Sequence, residues 1–310
     1  MNSVNSGAAL LLCAALAPAA ALAGASSAPS RYCDQPAALT AGQQDRLLRT
    51  SALLSDALQR SGRRVALVAR SGLDLGWFGL RYSHAGVSLQ TSPATPWAVR
   101  QLYFACDEGQ PRLFDQGLPA FLLGTDNPSL GYVSVLLLPE AEGIAVEALA
   151  SDNRRALSLL GAAYSANAYV FSTRYQNCNQ WLVELLALAF GAAPGASPRE
   201  SAQAWLAAQQ FEGTVYALGW RPLLSLTGFS PYLHLDDHPE HEQAQAQLRV
   251  SMPQSIEAFV RRLVPGTERI ELCHTDTHAV IRRGWTPLAD GCLPEPGDTV
   301  VSLKAVPPPR

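Results

Sequence analysis

One stretch constrains this chain more than any other. It is the run Asn177-Cys178-Asn179-Gln180-Trp181-Leu182-Val183-Glu184-Leu185-Leu186. Trp181, Leu182, Leu185, Leu186 and Ala189 recur at helical spacing, which predicts a buried helix. Asn177 suits the N-cap, and Gln180 at N3 is placed to return a capping-box bond. Cys178 then falls in the first turn, beside free backbone N–H groups and the positive end of the helix dipole. That position favours the thiolate, the nucleophilic form of cysteine. A cysteine nucleophile also needs a base, which can come from far away in the sequence. His84, in Arg81-Tyr82-Ser83-His84-Ala85-Gly86-Val87-Ser88-Leu89, is the candidate. A lone cysteine at a helix start is more often a small buried residue or half of a disulfide, so the rest of the chain has to decide.

The cysteine pattern bears on that decision. Residues 7–23 form an alanine-rich apolar run, long enough for the core of a signal peptide and short for a membrane span. Ala21-Leu22-Ala23 offers a cleavage site, although no Lys or Arg precedes the run. The expectation is a cleaved secretory signal over 1–23, no further spanning segment, and a mature protein in the periplasm or outside the cell, where disulfides form. Cleavage removes Cys13 and leaves Cys33, Cys106, Cys178, Cys273 and Cys292, an odd number. Proximity pairs Cys273 with Cys292 and Cys33 with Cys106, one of three possible pairings of those four. Cys178 is then free. The 23 basic and 26 acidic residues give a net charge of −3 with no basic block, so nothing points to nucleic acid.

Before the cysteine helix the pattern alternates between helix and strand. Leu47, Leu48, Leu53, Leu54 and Leu58 predict a helix over 40–59, stopped by Ser61-Gly62. Val65–Ala69, Leu80–Gln90 and Trp97–Ala105 predict strands, the last two joined by a turn holding Pro93 and Pro96. A hairpin centred near Pro93 and Ala94 sets His84 opposite Tyr103, with Gln101 a diagonal neighbour on the same face. Gln101 is therefore the candidate for the group that orients the imidazole, with Asp107 and Asp115 as rivals. Tyr82 and Asn179 are candidate oxyanion donors beside the Cys178 N–H, and Asn177 supports the turn.

Ser83-His84-Ala85-Gly86 on a strand, followed much later by Asn177-Cys178-Asn179-Gln180-Trp181 opening a helix, resembles the circularly permuted papain-like superfamily. That group includes lecithin–retinol acyltransferase-like proteins and bacterial cell-wall amidases and peptidases. The likeness runs from about Val65 to Phe190. Over nearly its full length the chain also resembles a family of secreted bacterial proteins known as a domain of unknown function. The resemblance implies an α+β fold in which an antiparallel sheet packs against helices, the Cys178 helix among them. It also implies an acyl-enzyme reaction with no cofactor, on a cell-envelope substrate such as a peptidoglycan peptide or a lipid acyl group. A non-catalytic periplasmic binding or assembly protein on the same frame is the alternative.

Beyond residue 222 the character changes. His234-Leu235-Asp236-Asp237-His238-Pro239-Glu240-His241 has metal-ligand residue types, but in no zinc spacing, and reads rather as a solvated loop. Ser251-Met252-Pro253-Gln254 predicts a capped helix start, and strands are expected at 269–273, 279–283 and 299–303. The expected organisation is a papain-like domain over 24–222 and a C-terminal extension or small α+β module over 223–310. Peptide mapping of the mature protein under non-reducing conditions should recover Cys178 alkylated as a free thiol. A Cys178 disulfide would end its reading as a nucleophile.

Overall fold

The computed structural model describes residues 39–304, apart from 194, 220, 223 and 225–229. The expected signal segment and Cys33 lie outside the described residues. The first helix, α1 (Ala41–Arg60), starts at Thr40 with a reciprocal cap. The Thr40 hydroxyl accepts from the Gln43 N–H, and the Gln43 side chain accepts from the Thr40 N–H. Then come β1 (Val65–Arg70), β2 (His84–Leu89), β3 (Ala98–Ala105), β4 (Gln110–Gln116), α2 (Leu118–Leu123) and β5 (Leu130–Leu137). Next are α3 (Glu140–Ser151) and α4 (Asn153–Ser158), separated at Asp152, which caps the second of them. The cysteine helix is α5 (Cys178–Ala189), followed by α6 (Pro198–Ala208), β6 (Thr214–Ala217), α7 (Glu240–Ala244) and β7 (Gln247–Val250). The chain closes with α8 (Pro253–Leu263), β8 (Glu268–Thr275), β9 (His278–Arg283) and β10 (Thr299–Ser302).

The fold is α+β. Eight strands form one antiparallel sheet in the order β10-β9-β8-β5-β1-β2-β3-β4, and β6 pairs with β7 in a small second sheet. The C-terminal strands are not a module of their own. β8 pairs with β5 from Leu130↔Thr275 to Leu137↔Glu268, extending the main sheet on the side that β1 leaves open. An open backbone edge of an apolar strand is satisfied most simply by another strand. Among the described residues no helix is long and apolar enough to cross a membrane.

Strand alternation divides the sheet into two apolar faces. Val65, Leu67, Ala85, Val87, Leu102 and Leu136 face α3, α5 and α8. Ala66, Val68, Val99, Val135 and Leu137 face α1 and α2. Every residue of α5 from Cys178 to Ala187 is buried, which explains its nearly unbroken apolar sequence. Its one carboxylate, Glu184, is fully buried and fully engaged. It accepts from Arg199 Nε (2.9 Å), Gln203 Nε2 (2.7 Å) and Gln176 Nε2 (2.7 Å). Burial pushes its pKa up, and the Arg199 charge opposes that. Arg199 also donates to the carbonyls of Thr173 (2.7 Å) and Tyr175 (3.0 Å), fastening the segment that leads into α5.

Two helix starts differ from expectation. Gln180 makes no return bond to the cap; its amide donates to the Tyr169 and Ser172 carbonyls (both 3.2 Å), because that segment crosses the helix start. The start of α8 lies one residue later than the Ser251 motif suggests. Met252 is the cap residue, and its N–H donates to Ser255 Oγ (3.2 Å). Arg199→Met strands the buried Glu184 carboxylate and should lower stability by about 3–5 kcal/mol in chemical denaturation. Adding Glu184→Gln to that variant should recover part of the loss.

Candidate active site

The β2–β3 hairpin has the register expected from its turn. The ladder runs Leu89↔Ala98, Ser88↔Val99, Val87↔Arg100, and its continuation sets His84 opposite Tyr103. The two rings stack with centroids 4.5 Å apart. Gln101 lies diagonally across, its Oε1 2.5 Å from His84 Nε2, while its Nε2 donates to Gln116 Oε1 (2.6 Å) on β4. That second bond fixes which way the amide points. An amide oxygen only accepts, so Nε2 carries the imidazole proton and Nδ1 is the basic nitrogen. Gly86 faces Gln101, and a Cβ there would fall 2.6 Å from Val99 Cγ1 and 2.7 Å from the Arg100 carbonyl. The missing side chain is what gives Gln101 room to cross to the imidazole, a local reason for the His-Ala-Gly spacing.

His84 is buried and unprotonated near neutrality. Burial takes its pKa down to about 3, helped by the charge of Arg70, its ladder partner on β1. Cys178 is the free thiol among the described residues. Asn177 caps its helix, accepting from the Gln180 N–H at 2.7 Å. The expected thiolate is not the resting form. Burial pushes the thiol up to about 12, against smaller opposing contributions from the Asn179 N–H, the Arg70 charge and the Cys178 N–H. Desolvation outweighs the helix terminus because the first turn of α5 lies inside the core rather than at the surface.

The sheet brings the two groups to one end of β2 but from different sides. Alternation sets the His84 ring on the face of Arg70, Gln101, Tyr103 and Phe121, while α5 packs on the face of Ala85, Val87 and Leu102. They converge where β2 begins: Asn179 Nδ2 donates to the carbonyl of Ser83 (3.1 Å), the residue before His84. Among the described residues no hydrogen bond joins Cys178 Sγ to the imidazole.

The other candidates are placed as follows. Asn179 has its amide N–H committed to Ser83 and its Oδ1 buried without a partner, so it offers no oxyanion donor in this arrangement. The Tyr82 hydroxyl donates to Glu271 Oε1 in a buried cluster with Arg81 and Arg269, which directs it away from that role. Asp115 forks with Arg100 (2.7 and 2.6 Å) on β3 and does not orient His84. Cys273 and Cys292 form a disulfide. Cys106 is disulfide-bonded, and its expected partner Cys33 lies outside the described residues. The polar run at 234–241 is a loop leading into α7 that docks on the segment before α5 rather than standing free in solvent. The His234 N–H donates to Asn167 Oδ1 (3.0 Å), Asp237 Oδ2 accepts from the Tyr169 N–H (2.9 Å), and Arg174 pairs with Asp236 (2.5 Å). No group of three or more His, Cys, Asp or Glu side chains among the described residues is placed to hold a metal ion.

Residues 57–260 match a family described as an uncharacterized protein conserved in bacteria, DUF2145. The chain belongs to this family. No curated protein and no solved structure matches it. In this DUF2145 member the matched span contains His84, Gln101, Cys178 and the Glu184–Arg199 pair, and it stops before the Cys273–Cys292 disulfide. Arg70 and Arg199 are not legible as site residues from the sequence. Arg70 ends an apolar strand, and only its pairing with His84 reveals where its charge acts.

Two of the buried imidazoles predict an acid-labile fold. His84, and His274 on β8 with its pKa taken down to about 4 by burial, stay neutral in the folded state. The unfolded chain protonates them near pH 6.5, so their contribution is complete above that pH and is lost as pH falls toward the folded values. Each should remove about 1.4 kcal/mol per pH unit below about 6.5. Urea unfolding midpoints across that window should fall less steeply in His84→Gln and His274→Gln than in the wild type.

Proposed function

We propose that this protein is an exported cysteine hydrolase or acyltransferase on a permuted papain-like frame, acting on an amide or ester bond of the cell envelope. The observation that carries this reading is the oriented imidazole. Gln101 holds His84 Nε2 through the gap left at Gly86, Nδ1 remains as the basic nitrogen, and the helix that opens with the free thiol packs on the other face of the same strand. Support also comes from the order of elements, with the histidine strand and its neutral partner strand preceding the cysteine helix that packs on them.

In the reaction, His84 accepts the Cys178 proton as sulfur attacks the carbonyl carbon. The C–N or C–O bond breaks, and the leaving group takes that proton from His84. Water, or another acceptor, then attacks the thioester with His84 as base, releasing the acyl product and restoring the thiol. The Cys178 N–H at the helix start is the natural donor to the oxyanion. The dyad closes on substrate binding by repacking at Ser83 and His84, where the ladder ends. Catalytic hydrogen bonds commonly tighten only in the complex. Peptidoglycan peptides come first among substrates, then lipid acyl groups, because an exported enzyme meets these.

The buried neutral thiol and the lack of a Cys178–His84 bond among the described residues favour a second reading, a periplasmic binding or assembly protein. Mature protein incubated with peptidoglycan peptides and short acyl esters should turn over one class. Cys178→Ala should abolish turnover, and His84→Ala should cut it by about 10²–10⁴. No turnover, together with thiol labelling indifferent to His84, would establish the binder instead.

A further inference from the structure

Gln101 is fully buried, so both ends of its amide depend on protein partners. Oε1 meets His84 Nε2 at 2.5 Å, and Nε2 donates to Gln116 Oε1 at 2.6 Å. An amide has nearly the same shape either way round. Turned over, Gln101 would offer an N–H to the imidazole, and the ring proton would have to move to Nδ1. The contact with His84 does not decide the tautomer by itself; the decision passes one residue further. Strand register puts Gln116 in that place. Gln101 pairs with Phe114 and Val99 with Gln116, which makes Gln116 the diagonal neighbour of Gln101 on the face that holds His84. The rung between them is fastened from the opposite face, where Arg100 forks with Asp115. The imidazole itself is confined by the rings of Tyr103 and Phe121, with centroids 4.5 and 5.9 Å away.

We propose that Gln116 sets the tautomer of His84: by accepting from Gln101 it turns the Gln101 oxygen onto Nε2, which keeps the ring proton there and leaves Nδ1 as the base. Its importance for the reaction rests on the reading of His84 as the general base. The relay has two self-consistent states, each with one donor and one acceptor in every bond. In one, Gln116 accepts and Nε2 is protonated. In the other, Gln116 donates, Gln101 is reversed and Nδ1 is protonated. Reversing one member alone sets oxygen against oxygen, or a bare ring nitrogen against oxygen, where no water can relieve the clash. Gln116 is half-buried at the end of β4 and touches no reacting atom, so it is a positioning residue.

The test reads the tautomer directly and needs neither a substrate nor the thiol. His84 is neutral near neutrality, so its single ring proton sits on one nitrogen, and NMR shifts of the ring nitrogens in isotopically labelled protein report which. The wild type should show a protonated Nε2 and a bare Nδ1. Gln116→Glu, which can only accept, should keep that pattern. Gln116→Lys, which can only donate, should reverse it, and should cut kcat on any substrate the wild type turns over by about tenfold or more. Gln116→Met removes the acceptor and should let the Nδ1-protonated form appear beside the other; it carries the test if Gln116→Lys does not fold. A purely structural role predicts lower stability with the tautomer unchanged. A bare Nε2 in the wild type, or the wild-type pattern in folded Gln116→Lys or Gln116→Met, overturns the proposal. That result would leave the hydrolase reading with Gln101 alone, whereas an absence of turnover would leave the tautomer result standing.

Discussion

The structure depends on the complete burial of one helix. α5 lies between the sheet and α3, α6 and α8, and its first ten residues are withdrawn from water. Such a helix has no solvated face, so a charged group on it must be satisfied inside the protein. Glu184 meets that requirement through Arg199, Gln203 and Gln176, and those partners in turn fasten residues 172–176 ahead of the helix. The position of Cys178 therefore follows from a buried ion pair two turns further along.

The same burial sets the chemistry at the helix start. A thiol in a first turn is ordinarily acidified, but here desolvation dominates and holds it as a neutral thiol. His84 is held neutral by the same cause, with the Arg70 charge acting in the same direction. The resting site is accordingly a neutral thiol, a neutral oriented imidazole and a buried cation. No charge is separated between sulfur and imidazole in that arrangement.

Particular residues show how far the sequence could be read. The hairpin register was legible because two prolines and a two-residue offset leave few alternatives, and it led directly to the His84–Gln101 contact. The break between α3 and α4 falls at Asp152, whose carboxylate caps the second helix, a role aspartate favours. The fate of Tyr82 was not legible, because its partner Glu271 lies far along the chain on a strand that joins the sheet from the other end. The 234–241 run looked solvated by residue type, and it docks because the segment 165–175 has backbone groups that nothing nearer can satisfy.

What the sequence determined alone was local: helix and strand periods, caps, the hairpin and the helical site of the odd cysteine. These depend on side-chain spacing and backbone preference over a few residues. The tertiary structure decided which face each side chain occupies, which charges are paired and which group is desolvated. It put the C-terminal strands into the main sheet, left Arg70 without a counter-ion among the described residues, and set thiol and imidazole on different sides of β2. Those outcomes depend on long-range pairing and on burial, and both are properties of the assembled core rather than of any one segment.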